Sequence, residues 1–118
     1  MSIALDKVRE AALGLPETEE RLSHGQPTFF VAGKQFAQFR DNHHGDCKTV
    51  VSVRVSSLDE QAMLLEAAPE TYSKPAYMPT WLSINVAGDE VDWGHVADRI
   101  AVSWELAAPR RLLEAGGR

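Results

Sequence analysis

The chain has 118 residues, 44% of them hydrophobic and 25% charged, with a formal net charge of −5. That suffices for one hydrophobic core and excludes a disordered chain, a two-core protein and a binder that works by net positive charge. No apolar run approaches the roughly 20 residues of a membrane span. Asp6, Lys7, Arg9 and Glu10 interrupt the apolar N-terminus, so no secretory signal is expected. With a single cysteine, Cys47, an internal disulfide is impossible, and a cytoplasmic protein without membrane contact is expected.

In chain order, Leu5, Val8, Ala12 and Leu15 recur at three- and four-residue spacing, which predicts a helix over about 2–13 that Gly14 and Pro16 stop. Glu17, Glu19 and Glu20 then read as a solvated turn. The period changes to two at Thr28–Ala32 and Gln35–Phe39, two strands joined at Gly33-Lys34 as a hairpin. A polar loop over Asp41–Asp46 leads into Lys48–Val55, where Val51, Val53 and Val55 face one way and Val50, Ser52 and Arg54 the other.

Ser57 and Glu60 have the spacing of a capping box, and the helix they open places Leu58, Ala62 and Leu65 inward and ends near Pro69. A loop with Pro75, Tyr77 and Pro79 precedes a strand over Trp81–Val86. Asp92 caps the last helix, whose stripe is Trp93, Val96, Ala97, Ile100 and Trp104. Pro109 ends it and leaves residues 110–118 as a basic tail. The order α, several β, α, β, α predicts one α+β domain over 1–118, an antiparallel sheet flanked by helices.

No glycine-rich phosphate loop, nucleophile elbow or zinc-protease motif is present, so neither an enzyme nor a cofactor is expected. His43, His44 and Cys47 carry the donor atoms of a zinc site. A structural zinc site normally shows two ligand pairs, and these read more simply as a polar loop. Charge is unevenly distributed. Residues 21–56 hold five cations (Arg21, Lys34, Arg40, Lys48, Arg54) against Asp41 and Asp46, a net of +3. Residues 106–118 add Arg110, Arg111 and Arg118 against Glu114, a net of +2. Tyr72, Tyr77 and Trp81 lie around a proline-rich loop rather than in a periodic stripe, so they either pack it down or line a binding surface.

Leu15-Pro16-Glu17, His24-Gly25-Gln26-Pro27-Thr28-Phe29, Gly33-Lys34-Gln35-Phe36-Ala37, Ala68-Pro69-Glu70-Thr71-Tyr72, Trp81 in a strand, Val91-Asp92-Trp93 and Ser103-Trp104, with Ala108-Pro109-Arg110-Arg111-Leu112, form an ordered series. In order and spacing this series resembles the MmcQ/YjbR family over nearly the whole chain. The resemblance implies a frataxin-like (CyaY-like) α+β fold and DNA binding through a double wing of basic hairpins. Lys34, Lys48, Arg110 and Arg111 match its basic positions. Met78-Pro79-Thr80 precede Trp81 where relatives often have glycine and basic residues, so one wing lacks its cations.

Two functions follow. In the first, Lys34, Arg40, Lys48, Arg54, Arg110 and Arg111 contact DNA phosphates, and Tyr77 or Trp81 stacks or wedges. In the second, the chain binds a small ligand or a protein in a pocket built from Tyr72, Tyr77, Trp81 and His24.

Overall fold

Leu5, Val8 and Ala12 lie along one side of α1 (Ile3–Leu13), with Val8 and Ala12 fully buried, as their spacing predicts. In a computed structural model describing residues 3–41, 48–76 and 78–115, β1 (Thr18–Ser23), β2 (Gln26–Val31), β3 (Lys34–Asp41) and β4 (Thr49–Arg54) follow. Next come α2 (Leu58–Ala67), β5 (Tyr72–Ser73), β6 (Trp81–Asn85), α3 (Trp93–Ala107) and α4 (Arg110–Glu114). The strands form one sheet in the order β1-β2-β3-β4-β6-β5, with antiparallel pairing throughout. Two-residue turns join β1 to β2 and β2 to β3. His24 and Gly25 in one, and Ala32 and Gly33 in the other, all have positive φ, the conformation that matches strand twist in tight hairpins.

Register divides the sheet into two faces. Phe29, Ala37, Val53 and Leu82 are neighbours across four strands, and Phe39, Val51, Ile84 and Tyr72 form a second such row. All eight sit in the core with Val8 and Ala12 of α1 and Val96, Ile100, Trp104 and Ala107 of α3. Burial of each large apolar side chain there contributes about 1.5–3 kcal/mol. The opposite face carries no helix among the described residues, and Trp81, which lies on it, is buried outside that core cluster.

One irregularity fixes the packing. Phe29 pairs with Ala37 but Phe30 with Gln35, so Phe36 is an extra residue on β3 and a bulge. Phe36 and Ala37 consequently both enter the one core cluster, whereas strict alternation would send them to opposite faces. Ser103 of α3 fits the bulge: its hydroxyl donates to the Phe36 carbonyl at 2.5 Å and accepts the Arg54 backbone N–H at 2.8 Å. Trp104, fully buried, donates its indole N–H to the Pro16 carbonyl at 3.0 Å and ties α3 to the α1–β1 connection.

The structure departs from the sequence reading in four places. The acidic turn is strand β1, with Glu20 held by Arg9 of α1 through two bonds of 2.8 and 2.9 Å. Tyr72-Ser73 is a short edge strand rather than loop, and residues 110–114 of the predicted tail form α4. Helix α2 opens on the Ser57–Glu60 box as predicted, but Leu58 and Ala62 are exposed and Gln61 is buried instead. The Gln61 amide donates to the carbonyls of Pro79 and Trp81 at 3.0 and 2.7 Å, and those bonds turn the helix about its axis relative to the apolar stripe. The described residues contain no helix long and apolar enough to cross a membrane.

Candidate nucleic-acid interface

The helix-free face is built from the strand positions that alternation turns away from the core. Its central row runs Arg21, Thr28, Gln38, Ser52, Ser83 and Ser73, each paired with the next across the sheet. The hydroxyl side chains of Thr28, Ser52 and Ser83 in this row are buried and partnered. Ser52 and Ser83 hydrogen-bond to each other at 2.9 Å, Thr28 donates to the Gln26 carbonyl, and the Gln38 amide donates to Thr28. Each polar group placed under longer neighbours thus keeps a partner.

On one side of this row lie Glu19, Phe30, Gln35, Arg54 and Trp81, and on the other Arg40, Val50 and Asn85. All three strand arginines therefore share the open face, with Glu19 as the only strand carboxylate beside them among the described residues. Arg21 lies 4.1 Å over the centre of the Phe30 ring and pairs with Glu19 at 3.1 Å. Arg54 lies 4.9 Å from the centre of the Trp81 ring and donates from Nε to the Gln35 carbonyl at 2.8 Å. Partial burial pulls the Arg54 guanidinium below its ordinary pKa, yet arginine stays cationic at neutral pH. Arg40 lies opposite Val50, four residues and about 13 Å along β4 from Arg54.

The other predicted contacts do not join this cluster. Lys34 is exposed and pairs with the core residue Val31 at the β2–β3 turn, whereas exposed Lys48 precedes β4 at the far end of the sheet. Arg111 is held by Glu17 through bonds of 2.5 and 2.8 Å, which lower the Glu17 pKa and raise that of Arg111. Arg110 bonds to Glu114 at 2.8 Å. Trp81, only 5% exposed and lying under Arg54, has no free ring face for a base, so the surface presented there is the guanidinium. Tyr77, and the proposed zinc donors His43, His44 and Cys47, lie outside the described residues. Among those described, no group of three His, Cys, Asp or Glu could hold a metal. Arg21 was not singled out from the sequence, because β1 itself was not recognised.

The described members of the predicted aromatic pocket, Tyr72, Trp81 and His24, are not brought together. Tyr72 is on the helix-covered face, Trp81 on the open one, and His24 on the β1–β2 turn at the opposite edge of the sheet. A separate cleft of about 630 Å³ instead opens beside Tyr72, over Leu64 and Ile84 and next to His95. The Tyr72 hydroxyl hydrogen-bonds the His95 imidazole, and burial raises the Tyr72 pKa. Glu70, Asp89, Glu90 and Asp92 line the same cleft, and their carboxylates disfavour anions there.

An open antiparallel sheet with its helices gathered on one face defines an α+β open-faced layer protein. The model of the YjbR family matches residues 13–106, and the chain belongs to that family. Among solved structures it is similar to the crystal structure of Deinococcus radiodurans protein DR2400, which has a DUF419 domain. The identity is 16% and the TM-score 0.73, over 91% of this chain and 80% of that one, a likeness of fold. No curated protein matches the chain.

Proposed function

We propose that this YjbR-family protein is a non-enzymatic DNA-binding module that engages the phosphate backbone with its open sheet face. The observation that carries this reading is the sorting of charge. In a chain of net −5, Arg21, Arg40 and Arg54 all emerge on the face that no helix covers, with one strand carboxylate among them. The half-buried amide side chains of Gln35 and Gln38 between them suit a surface that stays wet until a polar ligand arrives. The contact set is Arg21, Arg40 and Arg54, with Lys34 and Lys48 flanking it. Fluorescence anisotropy with labelled DNA at low salt tests it. Binding in the range of about 10⁻⁴ to 10⁻⁶ M is expected. No binding at protein concentrations up to about 10⁻⁴ M sinks the reading.

The cleft favours a second reading, a small cationic ligand held between its carboxylates and the Tyr72–His95 pair. A thermal-shift series with alkyl and aryl amines tests it, and no stabilisation by any of them at millimolar concentration counts against it.

A further inference from the structure

We infer that the ligand of the open face is single-stranded DNA, an inference that rests on the nucleic-acid reading above and specifies its ligand. The first observation is how two of the cations are held. Arg21 lies over Phe30 and Arg54 over Trp81, so each aromatic ring supports a guanidinium. A guanidinium plane stacks on a nucleobase much as an aromatic ring does, and it also brings a charge to the neighbouring phosphate. Arg21 is on β1 and Arg54 on β4, three strands apart, which is about 14 Å. A flexible strand can splay its bases onto both.

The second observation is shape. Duplex DNA keeps its base faces stacked inside and offers grooves that take a helix or a two-stranded ribbon. Both guanidinium stacks lie within the sheet surface, and the β1–β2 and β2–β3 turns are two residues each, so neither turn extends into a groove. The base faces these stacks would meet are free only in a single strand.

The third observation selects DNA over RNA. Between the stacks, the hydroxyls of Thr28, Ser52 and Ser83 are all engaged within the sheet. All three side chains are buried as well, so none of them reaches a ribose 2′-hydroxyl, the group by which a protein favours RNA.

Anisotropy with a labelled thymidine oligonucleotide of about 12 residues, the matching uridine strand and a duplex of the same length tests the inference. The thymidine strand is expected to bind at least about fivefold tighter than the other two. Arg21→Lys and Arg54→Lys keep the charge and lose the plane. Each should weaken the thymidine strand by about tenfold while leaving duplex affinity and the salt dependence unchanged. Arg21→Lys is on an exposed edge strand, so it remains informative if Arg54→Lys fails to fold. Equal or tighter duplex binding overturns the single-strand assignment and leaves the DNA reading standing. Tighter uridine binding overturns the choice of DNA. Lysine variants that bind the thymidine strand like wild type overturn guanidinium stacking, and no binding to any probe overturns both proposals.

Discussion

The Ser103 hydroxyl donates a hydrogen bond to the carbonyl of Phe36, 67 residues earlier in the chain. It accepts the Arg54 N–H at the same time, so one side chain satisfies two backbone groups that the β3 bulge removes from the ladder. Ser103→Ala leaves both without a partner in a fully buried position. An unsatisfied buried group costs about 1–3 kcal/mol, and a loss of that order is expected in urea denaturation with the m-value unchanged. A loss below about 0.5 kcal/mol would mean that other groups take over both bonds.

Gln61 plays the same part on the neighbouring strand, β6, where Trp81 pairs with Arg54. Its amide holds the Pro79 and Trp81 carbonyls, and it is 3% exposed. Gln61→Met keeps the volume and removes the donor, so stability should fall by about 1–3 kcal/mol. Hydrogen exchange should quicken first at the Val55 amide, which bonds to Thr80 in the same segment. Protection of that amide at the wild-type level would show that Gln61 does not hold the segment.

Acid should weaken the fold in part through Glu60. Its carboxylate accepts the Ser56 N–H and lies 3.5 Å from Arg99, and these groups hold its pKa below the ordinary glutamate value. A carboxyl whose pKa is depressed on folding stabilises above its unfolded pKa, about 4.3 for glutamate. That stability is lost as pH falls through the lower folded value. Glu60→Gln retains an acceptor but does not titrate, so its stability should decline less steeply between about pH 5 and 3. Parallel wild-type and mutant curves over that range would remove Glu60 from the acid response.

Ala32 adopts φ 49° at the first position of a two-residue turn, a conformation that disfavours a residue with a Cβ. Asparagine tolerates it better, and Ala32→Asn should stabilise the protein by up to about 1 kcal/mol. A lower Tm for the variant would contradict the turn assignment.

The charges of the open face separate from those of α4 by their salt dependence. If DNA phosphates meet Arg40, Arg40→Ala should reduce the slope of log affinity against log salt by about 0.9 for duplex DNA. Arg111 is already bound to Glu17, so Arg111→Ala should leave that slope unchanged. The reverse pattern in a salt titration would place the interface on α4.

Local rules determined much of this protein from its sequence. The stripes of α1 and α3, the Ser57 cap and the valine alternation of β4 are each set by residues within a turn or a strand of one another, and all formed as their spacing predicts. Alternation alone also placed Arg54 opposite the valine face. The tertiary structure decided what such rules cannot reach. Strand β1 is polar on both sides and exists because β2 pairs with it and Arg9 and Phe30 hold Glu20 and Arg21. The two residues of β5 are too few for a period, and α2 faces inward through Gln61 because its partners are carbonyls 18 and 20 residues away. Arg21, Arg40 and Arg54 share one face only because register across four strands brings them there. Periodicity tells which side of its own element a residue takes. Pairing between elements distant in sequence sets which of those sides meet, and here that pairing turns scattered cations into a surface.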